Sequence, residues 1–321
     1  GLNSKWLDNR LSFDLTYYKS NTINQTFTAD LSISSGYSKA YIQSGNVRNE
    51  GIEMALGYSD KWNGFAWDSH LTLSWNKNKI IKLTEGSINP MTGEPITKDN
   101  YDMGQLGNLD ARVKLYKGGS IGDVYATHRI KRDGNGNVFV SQEGKIEIES
   151  VDEFKLGSIL PKTNMGWSNN FSYKGVNLGM TLTARFGGIA LSGTQSVLDQ
   201  YGVSQVTANY RDTGGVPINH GYVDTEKYFD TVKGYAAYYT YSATNVRLAE
   251  LSLSYTLPKE WFRDKLRMTV GLVGKNLWMI YCKAPFDPEA TASTQSNYYQ
   301  SYDYFMQPTT RNLGFSVKLN F

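Results

Sequence analysis

The chain holds a single cysteine, Cys282, among 321 residues. A lone thiol excludes an internal disulfide and any metal centre built on several cysteines, and its plain reading is an isolated thiol without chemistry. Histidine is scarce too: His70, His128 and His220 lie far apart. No run of about 18 apolar residues occurs, so no segment is suited to cross a membrane as a helix. No long 3.6-residue apolar period stands out either, which argues against a helical domain. A dominant sign of charge is also missing. With 33 Lys and Arg against 30 Asp and Glu, the net charge is +3, which points to neither nucleic acid nor an acidic partner. The chain opens on Gly1 without a signal peptide, and is expected to be a fragment or processed product whose N-terminal part is missing.

What is abundant is aromatic. There are 23 Tyr, 13 Phe and 7 Trp, in a chain whose mean hydropathy is −0.45. Period-two alternation recurs along it. The last residues set Leu313, Phe315, Val317, Leu319 and Phe321 on one face and Asn312, Gly314, Ser316, Lys318 and Asn320 on the other. "RLSFDLTY" aligns Leu11, Phe13, Leu15 and Tyr17, and "GIEMALGYS" aligns Ile52, Met54, Leu56 and Tyr58. "FAWDSHLTLSWN" sets Phe65, Trp67, Leu71, Leu73 and Trp75 opposite Asp68, His70, Thr72, Ser74 and Asn76. Stretches beginning at Val176, Leu251 and Leu266 behave alike, and further strands are expected over 165–174 and, less regularly, over 111–115 and 121–128. This is an all-β chain of about ten strands.

Connections of two sizes alternate. Short ones fall near 60–63, 118–120, 174–175 and 258–264. Long polar ones fall near 21–44, 81–109, 131–161, 191–243 and 282–309. Compact soluble domains rarely carry loops of that length, whereas outer-membrane barrels join strands by short periplasmic turns and longer extracellular loops. Lipid offers no hydrogen-bond partners, so a spanning sheet must pair its backbone fully. One face then meets hydrocarbon and the other a wet lumen, which explains the strand ending at Phe321. Each such side chain buried in lipid gains roughly 1.5–3 kcal/mol, and Lys318 sits on the polar face as this requires. A soluble β-sandwich also alternates. Against it stand the long loops and the aromatics near strand ends, Tyr17, Tyr18, Trp75, Tyr255, Trp278 and Tyr281, since such residues collect at membrane interfaces.

Five segments occur in a telling order: "NVRNEGIEMALGY" (46–58), "LPKTNMGWSNNFSYKGVNLGMTL" (160–182), "NVRLAELSLSYTLP" (245–258), "GKNLWMIYCKAPFDPEA" (274–290) and the terminal "NLGFSVKLNF". Together they resemble the C-terminal third of SusC-family TonB-dependent transporters of the Bacteroidetes outer membrane. The resemblance implies a 22-stranded barrel with an N-terminal plug, of which residues 1–321 would be the C-terminal portion of the single barrel domain, with plug and first strands absent. It also implies import of a large nutrient, oligosaccharide or oligopeptide, under a SusD-like surface lipoprotein, with energy from TonB acting through the missing part. Phe321 resembles the terminal signal read by outer-membrane assembly machinery. No cofactor, metal or catalytic residue is implied. The alternatives are a self-contained ten-stranded enzyme barrel of the omptin protease type and a passive porin.

Two loop stretches are crowded with aromatics, 228–242 and 296–307. Tyr235, Tyr238, Tyr239, Tyr298, Tyr299, Tyr302 and Tyr304 are candidates to touch ligand or the lipoprotein lid, because flat rings pack against sugar rings or peptide side chains; packing of loop against loop is the plainer reading. "DGNGNV" from Asp133 opens like a calcium loop, but Val138 and Gly144 stand where Gly and Glu belong, so a hairpin turn fits better. "DNYDMGQLGNLD" (99–110) offers carboxylates without diagnostic spacing. Asp68 and His70 share a lumen face but lie low on their strand, and lumen lining explains them without catalysis.

Overall fold

The computed structural model describes residues 1–30, 39–43, 45–86, 88, 93, 95, 100–219, 221–263, 265–290 and 300–320. Its main sheet has nine strands: β1 (Leu2–Trp6), β2 (Leu11–Ile23), β3 (Asn46–Trp62), β4 (Phe65–Lys82), β5 (Thr163–Tyr173), β6 (Val176–Phe186), β7 (Asn245–Thr256), β8 (Arg267–Cys282) and β9 (Asn312–Asn320). Each pairs antiparallel with the next in chain order, a meander. Short turns join β1–β2, β3–β4, β5–β6 and β7–β8 at one end. Asn63 at φ 48° with Gly64 at φ 82°, and Lys174 at φ 45° with Gly175 at φ 84°, make the two tightest turns, the left-handed pair that matches strand twist.

The register carries apolar residues across the sheet in rows. One runs Phe13–Leu56–Leu71–Trp167–Leu182–Leu248–Trp278, and another Phe171–Leu178–Leu253–Leu272–Phe315. Phe315 is 81% and Leu272 65% exposed to solvent, a state that a water-facing surface would not sustain over so wide a patch and that a bilayer resolves. Toward the short turns the face is aromatic: Trp62, Phe65, Tyr173 and Tyr255 share one row, and Trp62 packs on Phe65 at 5.0 Å. Two polar groups break this face. Asn169, 1% exposed, accepts from Trp67 Nε1 at 3.1 Å, and Ser69 accepts from Trp167 Nε1 at 3.0 Å, so indole rings shield both.

The opposite face is polar and small. It carries Asp14, Glu53, Asp68, Thr72, Asn164, Thr181, Ser252, Ser316 and Lys318, with glycines between. Tyr18 belongs here rather than to the aromatic belt: it pairs across to Gly51, and its hydroxyl donates to Asn76 Oδ1 at 3.1 Å. The expected count of about ten becomes nine in this sheet. Segments 111–115 and 121–128 do form strands, Arg112–Tyr116 and Asp123–Ile130, but in a separate four-stranded sheet with Asn100–Gln105 and Ile148–Ser158. The connection at 118–120 is therefore not a short-end turn. Gly118 N donates to Ile80 O, and Ile80 N to Gly119 O, both at 2.8 Å, at the long-loop end of β4. The two strands form an up-and-down pair, so removing them leaves the direction of every other strand unchanged.

That second sheet belongs to a folded outer body made by three long connections. Three helices the alternation does not reveal join it: α1 (Gly193–Gln200), α2 (Gln205–Asp212) and α3 (Thr225–Val232). Each runs about two turns past a side-chain cap: Ser192 Oγ accepts from Gln195 N at 2.9 Å, Ser204 Oγ from Thr207 N at 3.1 Å, and Asp224 Oδ1 from Lys227 N at 3.1 Å. The core of the body draws Leu109, Val113 and Val124 from one connection, Leu191, Phe229 and Tyr239 from the second, and Tyr302 from the third.

Candidate functional site

Where the outer body meets the wall, the last long connection is tied to the lumen face. Arg247, on β7, sends both terminal nitrogens to Asp287, Nη2 to Oδ1 at 2.7 Å and Nη1 to Oδ2 at 3.0 Å. Glu289 stands 3.5 Å from Arg247 Nη2 and 3.3 Å from Arg185 Nε on β6. The Arg247 and Asp287 side chains are 10% and 8% exposed. Burial works to raise the Asp287 carboxyl, but Arg247 and the Glu289 amide hold it below its usual range. These acids are the D-P-E of "APFDPEA", whose role the pattern alone does not give. Further along, the same connection enters the outer body. Leu191 N donates to Ser301 O at 2.8 Å, Ser192 Oγ to Asp303 Oδ2 at 2.7 Å, and Phe305 N to Thr194 Oγ1 at 2.6 Å.

A cavity of about 660 Å³ opens between the hairpin 130–148 and the turn after α3. Arg129, Arg132, Asp133, Glu149, Tyr235 and Tyr238 line it over a floor that includes Ile130, Ile148 and Val232. The turn holding the tyrosines is fixed: Asp110 Oδ1 accepts from Ala236 N at 2.6 Å, Asp110 N donates to Gly234 O at 2.8 Å, and the Tyr235 ring packs 5.2 Å from His128. The hairpin is fixed as well, since Asn219 bonds both ways with the Val138 backbone at 2.9 Å and Lys227 Nζ reaches Glu143 O at 2.9 Å.

The candidate aromatics thus divide. Tyr235 and Tyr238 line this cavity. Tyr239, 0% exposed, and Tyr302, 2% exposed, lie in the core of the outer body, where they pack loop against loop. Burial raises the Tyr239 phenol far above its ordinary range. Tyr304 is half-exposed and stacks on Tyr302 at 6.1 Å. Tyr298 and Tyr299, like Phe321 and His220, lie outside the described residues. Of the lipid-facing set, Leu313, Phe315, Val317 and Leu319 are exposed and continue the apolar rows of β8.

The calcium-like stretch is a turn. Asp133 Oδ1 accepts from Asn135 N at 2.8 Å and Asn137 N at 2.9 Å, and Oδ2 from Asn137 Nδ2 at 3.0 Å. Those bonds hold the Asp133 carboxyl below its usual range and turn both its oxygens toward its own turn. Asp68 Oδ1 and His70 Nε2 lie 2.7 Å apart on the lumen face near the β3–β4 turn, and His128 pairs with Asp110 at 3.0 Å. The pattern gave Tyr235 and Tyr238 but not Arg129, Arg132 or Arg247, because isolated arginines in polar loops carry no spacing signal.

No family model matches the chain. Among curated proteins it is 27% identical over 337 aligned positions to "TonB-dependent receptor P3" of Formosa agariphila, covering 100% of this chain and 33% of that one. It is 21% identical over 313 positions to "TonB-dependent receptor SusC" of Bacteroides thetaiotaomicron, covering 93% of this chain and 30% of that one. Among solved structures, the RagAB peptide importer in its open-open state matches with a TM-score of 0.72 at 16% identity, over 99% of this chain and 34% of that one. The chain therefore spans about a third of the length of the relatives it matches. Its nine-stranded wall, its unequal connections and this likeness along its whole length make the chain similar to about a third of a SusC-like TonB-dependent receptor, a β-barrel protein of the outer membrane.

Proposed function

We propose that the chain is the C-terminal portion of a single barrel domain whose plug and remaining strands lie elsewhere in the intact protein, and that this protein imports a large nutrient across the outer membrane. The imported molecule is an oligosaccharide rather than an oligopeptide, captured on the outer body beneath a SusD-like surface lipoprotein. TonB, engaged through the N-terminal part, supplies the work of moving the plug. The observation that carries this reading is the pairing of a polar, small-residue lumen face with a folded, pocketed outer body. A passive pore needs no such body, and an enzyme barrel needs a reactive constellation, which the paired, half-exposed Asp68 and His70 do not supply.

The test is uptake by the native host. Loss of the gene should abolish growth on one class of polymer-derived oligosaccharide, and loss of TonB should do the same. The lipoprotein should co-purify with the intact protein from native membranes. Uptake that persists without TonB, or purified protein that conducts solutes passively, sinks the proposal.

A further inference from the structure

We infer that the cavity between hairpin 130–148 and the turn after α3 is a binding site for an acidic sugar unit, with Arg132 receiving its carboxylate and Tyr235 its ring face. The inference rests on the import reading above and names the class of cargo.

The cavity has the volume of a small-ligand site, about 660 Å³, within the usual range of roughly 300–1,000 Å³. It is preformed, since both walls are pinned by the Asp110, Asn219 and Lys227 bonds. Little ordering is left to oppose binding.

Its charges are balanced in number but not in pairing. Asp133 spends both oxygens on its own turn. Glu149 Oε1 accepts from Arg129 Nε at 2.5 Å. Among the described residues the Arg132 guanidinium makes one hydrogen bond, Nη1 to Gly136 O at 2.7 Å, and no carboxylate there stands within ion-pair distance of it. The cavity therefore holds one guanidinium, that of Arg132, whose donors are mostly unused and which no carboxylate among the described residues pairs. A carboxylate matches that fork with two parallel bonds. Beside it, the Tyr235 ring is held against His128 and gives the flat apolar surface that the C–H face of a sugar ring packs on. A neutral sugar would use the ring and leave the guanidinium unmatched. An acidic peptide would use the guanidinium without needing the ring.

The experiment measures binding to the intact protein in detergent. The probes are short oligomers of galacturonate, mannuronate and glucuronate, each paired with its carboxyl-reduced neutral counterpart, and a glutamate-rich peptide. At least one acid oligomer should bind more tightly than its neutral counterpart by about tenfold or more, the scale of one charged hydrogen-bonded pair. Arg132→Ala should erase that difference, and Arg132→Lys should restore part of it. Tyr235→Ala should weaken acid and neutral oligomers alike. Unchanged protease resistance of the outer body verifies that the variants fold.

Equal affinity for acid and neutral oligomers overturns the assignment, as does no binding of any acid oligomer, or a preference that survives Arg132→Ala. Tighter binding of the peptide than of every acid oligomer overturns the sugar class. Uptake by cells carrying the unaltered protein separates the two proposals: TonB-dependent uptake with no preference for the acid oligomers overturns the site alone, and uptake that does not need TonB overturns the import reading.

Discussion

Arg247 and Asp287 are 40 residues apart and meet through two hydrogen bonds with almost no solvent around them. A charge left alone in such a place costs far more than the pair contributes, about 3–5 kcal/mol when one partner is removed. Arg247→Ala should therefore free the last long connection, seen as new protease cleavage between 283 and 311 with the barrel still resistant. A conservative Arg247→Lys should rescue poorly, because an ammonium cannot span both oxygens. The pair also sets a pH dependence. The Asp287 carboxyl is depressed in the folded state from an ordinary value of 3.8. Its contribution is thus fully present above about pH 4 and is lost as the pH falls below that, through the depressed value. Cleavage of the connection should rise on acidification in the native protein and stay flat in Arg247→Ala. A different residue-scale test addresses Asp133, whose oxygens are used by its own turn. Calcium should leave the unfolding of the outer body unchanged, while Asp133→Ala should lower it with or without calcium.

Among the elements, β9 gives the cleanest contrast, because neighbouring residues face different media. Phe315 stands in a row with Leu272, and Ser316 opposes Gly271 on the other face. Phe315→Lys should cost about 2–4 kcal/mol at the bilayer midplane, and Ser316→Lys should cost far less, because its face meets water. The heat-induced mobility shift of the folded barrel on a gel, followed against denaturant, measures both. This contrast was legible in the sequence, as were most wall strands and the size of their connections, since lipid on one side enforces strict alternation. The rest was hidden for physical reasons. In β7 the pairing with β6 slips between Thr181 and Leu182, and with β8 between Leu248 and Glu250. The bulge moves Val246 and Leu248 onto the face of Leu251 and Leu253, so the alternation changes phase and the upper half of the strand disappears from a period-two reading. β1 shows only Leu2 and Trp6 as apolar guides. Strands of the outer sheet alternate as wall strands do, because they too cover a core on one side, and periodicity does not say which liquid lies opposite. The helices have eight residues each, too few for a 3.6-residue period to accumulate, although "SGTQ", "SQVT" and "DTEK" carry their caps.

At the scale of the molecule, two bodies with different solvents share one chain. The wall is held by backbone pairing and by lipid, and the outer body by a water-excluded core to which three distant connections contribute. Tyr302 is the point where the third connection locks in. Its ring is 2% exposed, its hydroxyl bonds Asn108 Oδ1 at 2.5 Å and receives Asn108 N at 3.1 Å, and it lies so close to Gly107 and Gly193 that a methyl group at either would collide with it. Removing it leaves a cavity that pinned neighbours cannot collapse into, which costs about 3–5 kcal/mol for a large aromatic. Tyr302→Ala should therefore unfold the outer body at lower temperature and open all three connections to protease together, because they share a core. It should leave the gel mobility shift of the barrel intact, because the wall strands pair along their lengths with one another. Gly193→Ala should act in the same direction by forcing the same ring out of place. If either variant instead lowered barrel and outer body in a single transition, the two would be one cooperative unit, and ligand capture outside would be coupled mechanically to the wall itself.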